Sequence, residues 1–190
     1  MTADLHALDI EPKARDTLPE HLQDYFATCE DKLGFVPNVL LSYAFDADKL
    51  THFINMCDEL MLAESGVSKT EREMIAVVVS SFNHCYYCLV AHGAVVRKRT
   101  GDPELGEQIA FNYRVAALTD KQRAMLDFAW KLTEEPWKVG EGDRAVLRAA
   151  GWTDRDIWDI AAVTGFFNMS NRLAMAVEMM PNSEYHSWSR

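Results

Sequence analysis

At three places in this 190-residue chain a serine or threonine with Glu, Gln or Asp three residues later stands where a long apolar-patterned segment begins. The pairs are Ser68 with Glu71, Thr119 with Gln122, and Thr153 with Asp156. In such a capping box the hydroxyl accepts an amide of the first helical turn, and the longer side chain reaches back to the cap's own amide. These signals favour helix before any packing is considered. The segments between them agree. Leu50, Phe53, Ile54, Cys57, Leu60 and Met61 repeat at i, i+3, i+4, i+7 over 46–63, and Met125, Phe128, Ala129 and Leu132 share one face before Pro136. Further helices are expected over 20–32, stopped by Gly34; from Ser68 to about Phe82; from a cap at Ser81 or Asn83 to about Gly101; from Pro103 to Phe111; over 142–150, stopped by Gly151; and from Thr153 to about Met179. Pro37-Asn38 opens a short turn or helix. The β-branched run Ile75–Val79 could pass for a strand, but it lies inside a capped helical frame, and no stretch alternates convincingly at period two. The expected fold class is all-α. One domain spans 1–190, with an N-terminal arm over 1–18.

Lys+Arg 19 against Asp+Glu 29 leaves a net charge of -10, which would repel phosphate backbones and anionic membranes. No apolar run approaches the ~18 residues that cross a bilayer. The first residues lack the basic start and apolar run of a signal peptide. Four cysteines are too few for a disulfide-dense secreted scaffold. The expectation is a cytoplasmic protein, with neither nucleic acid nor membrane as partner, whose cysteines need individual reasons. Cys57 lies on an apolar stripe and reads as a small core residue; Cys29 carries no partner signal. The last long helix is apolar nearly all round, so it is expected to be buried on all sides, in a core or between subunits. A subunit interface is the favoured reading, with Asn168, Asn171 and Arg172 as hydrogen-bonded interface polars rather than a substrate site.

The chemistry concentrates in one segment: Glu73, then Cys85-x-x-Cys88, then His92. If Cys85 begins a helix, positions 85, 88 and 92 share one face, and thiols at i, i+3 can close a disulfide with little movement. A helix N-terminus favours thiolate over thiol. His92, one turn beyond Cys88, can take its proton or stabilise its anion. Glu73 lies ten residues before the turn at Asn83, and His92 nine after it, roughly 15 Å and 13 Å of helical rise. In an antiparallel hairpin they share a level, where the carboxylate can orient the imidazole. A closed zinc site would need a fourth ligand, which only His84 or Glu73 could supply; no metal is expected.

The pattern Glu73-(x)11-Cys85-x-x-Cys88-x-x-x-His92 resembles the active-site motif of the alkylhydroperoxidase D family, within the carboxymuconolactone decarboxylase-like superfamily. Val36-Pro37-Asn38-Val39-Leu40, the stretch Gly151 to Ile157, Phe166-Phe167-Asn168 and Asn171-Arg172-Leu173 resemble its peroxidase-related branch. The resemblance implies an all-helical homo-oligomer (a trimer or hexamer, or else a dimer) that reduces hydroperoxides with thiols. It makes Cys88 the peroxidatic thiol, Cys85 the resolving one, and His92 with Glu73 the proton relay. It implies no bound cofactor, a small hydroperoxide as substrate, and an external thiol or protein reductant. Where well-known members carry a further histidine before the second cysteine, this chain has Tyr87; His84, before the first, is a candidate substitute. Two other functions stay open: a decarboxylase-like enzyme acting on a lactone with His92 and Glu73 as acid and base, and a redox-sensing or structural oligomer without turnover.

Overall fold

The computed structural model describes residues 5–190. Among them are nine α-helices and no strand: α1 (Glu20–Leu33), α2 (Asn38–Tyr43), α3 (Ala47–Leu62), α4 (Lys69–Phe82), α5 (Tyr86–Thr100), α6 (Pro103–Asn112), α7 (Asp120–Glu134), α8 (Glu141–Ala149) and α9 (Asp154–Ala176). All three capping boxes close at their serine or threonine. Asp46 and Asp102 cap α3 and α6 through their carboxylates. Gly34 and Gly101 end α1 and α5 with φ of 86° and 68°, which a side chain rarely tolerates. The first four residues of the expected arm lie outside the described residues. The rest of it runs along the surface and is pinned by backbone bonds from Ala7 to Val177, from Met180 to Leu5 and from Lys13 to Ala44.

Within the single chain the helix enclosed on all sides is α4. Every residue from Arg72 to Ser80 is buried, because α5, α6, α7, α9 and α3 all pack on α4. The β-branched run is therefore a core helix whose modest propensity is outweighed by burial on every face. By contrast α9 buries one face, led by Ile160, Val163 and Phe167, and presents Trp158 (72% exposed) and Met169 (51% exposed) outward. It stops at Ala176, three residues before the sequence suggested. Glu178 turns left-handed (φ 53°) and Met179 N–H folds back to Ala174 O, which closes the helix end and points Met179 inward.

Arg72 locks the start of α4 to the end of α3. Its guanidinium, 2% exposed, donates to the carbonyls of Val67 (2.8 Å), Leu60 (3.2 Å) and Ala63 (2.7 Å). A cation there satisfies carbonyls that the helix end leaves free and complements its dipole.

Candidate functional site

The turn joining α4 to α5 is so short that the residue closing one helix opens the next. Cys85 N–H bonds back to Ser80 O and His84 N–H to Ser81 O, with His84 in the left-handed region at φ 57°. This is a Schellman closure, in which glycine is the usual occupant. Cys85 is at the same time the N-cap of α5. Neither Ser81 nor Asn83 fills that place, contrary to the sequence expectation: Ser81 Oγ donates to Ala110 O, and Asn83 reaches across to Asn168 and Asn171. The three-residue turn leaves no room for a separate cap.

The Cys85 sulfur consequently meets the free amides of the first turn. A hydrogen bond from the Cys88 thiol, with help from the amides of Cys88 and Tyr87 and the nearby imidazole of His92, lowers the Cys85 thiol from 9.0 to about 7. Cys88 moves the other way, well above its ordinary value, because it shares that hydrogen bond and is buried; the nearby polar groups of Asn171 and Ser80 partly offset the rise. The pair thus holds one readily formed negative charge, and at rest that charge sits on Cys85. The resting charge is a separate matter from the peroxidatic role that the resemblance gives Cys88: the Cys88 S–H and the N-cap amides draw the charge to Cys85, while Cys88 stays the cysteine one turn from His92. Both thiols are free in this state.

The α4–α5 hairpin brings Glu73 to His92, with Oε2 2.7 Å from Nδ1. With Glu73 accepting at Nδ1, the tautomer leaves Nε2 as the imidazole's basic nitrogen. The ring also rests edge-on against Phe167, at 4.6 Å between centroids. Glu73, Cys88 and His92 open onto one cavity of about 210 Å³, walled by Tyr25, Phe53 and Phe166 among other apolar groups. Cys85 does not line it. It lines a separate groove of about 200 Å³ with His84, Tyr86 and Met180, where His84 is exposed. The two cysteines of the motif therefore line different spaces.

Several participants were not legible in the sequence. Tyr87, which stands where the resemblance places a histidine, is buried, and its hydroxyl accepts from Val39 N–H at 2.9 Å. It braces α2 against α5. Cys29 and Cys57 line the cavity as well, but burial pushes their thiols up to about 11 and about 12. Ser170 lines it with a buried Oγ that has no partner among the described residues. Asn171, expected at an interface, is fully buried within the domain and donates to Ser80 Oγ at 3.0 Å. Polar residues interrupting an apolar helix were the one signal pointing to it. Among the described residues no cluster of three or more His, Cys, Asp or Glu could hold a metal, and no helix is long and apolar enough to cross a membrane.

Comparison with known proteins agrees with this fold. A family model described as the carboxymuconolactone decarboxylase family matches residues 48–135. The structure of an uncharacterized peroxidase-related protein from Silicibacter sp. TM1040 is 60% identical, covers 99% of this chain and 97% of its own, and superposes with a TM-score of 0.95. A second, from Ralstonia eutropha JMP134 and described as an alkylhydroperoxidase AhpD core, is 41% identical over 99% of this chain and 98% of its own, at a TM-score of 0.94. A variant of the debrominase Bmp8 in complex with 2,3,4-tribromopyrrole shares the fold at 19% identity, with 95% of each chain covered and a TM-score of 0.79. No curated protein matches the chain. Two relatives above 40% identity over nearly the full length, together with the family match, place this chain in the carboxymuconolactone decarboxylase superfamily, on its alkylhydroperoxidase D-like branch.

Proposed function

We propose that the protein is a dithiol peroxidase that reduces organic hydroperoxides with two electrons from Cys88 and Cys85. One observation carries this reading. Cys88 and the His92–Glu73 pair open onto one largely apolar cavity, while Cys85 holds the resting charge one turn away. In the proposed cycle His92 Nε2 takes the Cys88 proton, and the sulfur attacks the terminal peroxide oxygen. The S–O bond forms and the O–O bond breaks; the departing alkoxide recovers the proton from His92 and leaves as an alcohol. The Cys85 thiolate then attacks the sulfenic sulfur, forming the disulfide and expelling hydroxide, which takes a solvent proton to become water. An external thiol or dithiol returns the two electrons, and the groove beside Cys85 offers it an approach that does not compete with the cavity.

The aromatic walls of the cavity also suit a second acceptor of the same two electrons, an apolar aromatic halide of the kind bound to the debrominase neighbour. The deciding experiment counts free thiols before and after one equivalent of cumene hydroperoxide or of a bromopyrrole. Loss of two thiols with matching peroxide consumption is expected, unaffected by Cys57→Ser and abolished by Cys88→Ser. Four unreactive thiols in folded protein, with turnover of a lactone instead, would overturn the peroxidase reading.

A further inference from the structure

The cavity lined by Cys88 has a neighbour. A second, largely apolar cavity of about 310 Å³ lies under the N-terminal arm, which gives it His6, Leu8 and Ile10. Lys49 of α3 and Val177, just past α9, line it from the body of the domain. Tyr43, Leu173 and Met179 line both cavities, so the two spaces share a wall. The arm covers the second one loosely. Backbone bonds hold it at Ala7 and Lys13, yet Leu8 and Ile10 stay 47% and 39% exposed and leave the space beneath them unfilled. Protein interiors ordinarily close such a void, because its walls forgo dispersion contacts. A dry apolar cavity of about half this volume takes up benzene, so this one has room for a longer hydrocarbon. Among its polar side chains Ser42 already donates to Asn38 O at 2.8 Å, but two basic ones have bonds to give. His6 Nδ1 is buried with no hydrogen-bond partner among the described residues, which costs stability unless something completes it. Lys49 Nζ gives one of its three protons to Asp46 Oδ2 at 2.7 Å and keeps the others.

We propose that the cavity under the arm is a binding subsite for the carboxylate end of a long-chain fatty-acid hydroperoxide, whose chain passes the shared wall and brings the peroxide to Cys88. A fatty acid matches the space in both respects, a hydrocarbon body for the apolar lining and one anionic group for the two basic side chains. Lys49 and the Nδ1–H tautomer of His6 donate to the carboxylate oxygens, charge-assisted bonds of the stronger kind. Met179, unbranched, and Leu173, 38% exposed, are the wall side chains that make way for the chain. The peroxide end of this assignment rests on the dithiol reading, whereas the carboxylate end does not. No chemical step is added to the cycle.

The test has a binding arm and a turnover arm. Oleic acid, which carries no peroxide, is titrated into the full chain against the fluorescence of bound cis-parinaric acid, and displacement is expected. Lys49→Met keeps the apolar stem and removes the ammonium; it is expected to weaken oleic acid about tenfold and to leave its methyl ester unaffected. The Lys49 side chain is 61% exposed, so this replacement leaves the core untouched. Val177→Phe fills the second cavity from a position that does not line the first, and is expected to weaken the acid and the ester alike. In the turnover arm, the ratio of kcat/KM for linoleic acid hydroperoxide to that for cumene hydroperoxide is expected to fall about tenfold in both variants. Absence of oleic acid binding would overturn the proposal, as would a ratio unmoved by both variants or an equal loss of acid and ester in Lys49→Met. Failure of the peroxidase reading would appear separately, as turnover of neither hydroperoxide while oleic acid still binds and still responds to Lys49→Met.

Discussion

Replacing Cys88 by alanine removes the hydrogen bond that contributes most to the low position of the Cys85 thiol. In the wild type that thiol lies at about 7 against an ordinary 9.0, so at pH 7 about half is thiolate where an ordinary thiol would be ~1%, a difference of roughly fifty-fold. Alanine deletes the S–H donor but keeps the amides of residues 87 and 88, so about one unit of the two should be lost and the alkylation rate of Cys85 at pH 7 should fall roughly five- to tenfold. The same shift enters the stability of the reduced protein. Between pH 7 and 9 the unfolded chain holds the Cys85 proton and the native chain does not, so stability rises with pH. The gain approaches 2–3 kcal/mol for a two-unit gap and is lost again as pH falls through 7. Above 9 it reverses, because native Cys88, pushed well above its ordinary value, keeps a proton that the unfolded chain releases. Alkylation against pH with site assignment, paired with urea unfolding under reducing conditions, measures both. A wild-type Cys85 midpoint near 9, or one unmoved by Cys88→Ala, would refute the placement of the charge.

Tyr87→Phe should cost about 1 kcal/mol by leaving Val39 N–H without its acceptor, visible as a lower unfolding midpoint, while peroxide consumption stays within about threefold; a larger activity loss would make the phenol a chemical participant. Glu73→Gln should lower peroxide consumption roughly a hundredfold with little change in fold, because the neutral amide no longer dictates which imidazole nitrogen carries the proton; full activity would remove the relay. Arg72→Met should destabilise by about 3 kcal/mol, measured by denaturant unfolding, since it strands three carbonyls near the α3–α4 junction.

The helices themselves were legible because their causes are short-range. A hydroxyl at 68, 119 or 153 and its partner three residues on act within one turn, and an apolar stripe such as that of α3 needs no knowledge of what covers it. The level of Glu73 against His92 could be counted for the same reason, helical rise being constant. Which helix the chain's own neighbours would cover was not legible: five others surround α4, while α9, expected in a core or between subunits, keeps Trp158 and Met169 on the outside of the single chain.

By itself, then, the sequence determined the all-helical class, the starts of the helices with capping boxes at Ser68, Thr119 and Thr153, and the spacing that puts Cys85, Cys88 and His92 on one short stretch, because each depends on neighbours within a few turns. The tertiary structure alone decided the rest. It set which cysteine lines the cavity and which the groove, gave Tyr87 to Val39, and brought Asn171 of α9 to Ser80 of α4. Those contacts join residues dozens of positions apart, and the burial that shifts the thiols arises only when distant helices exclude water around them.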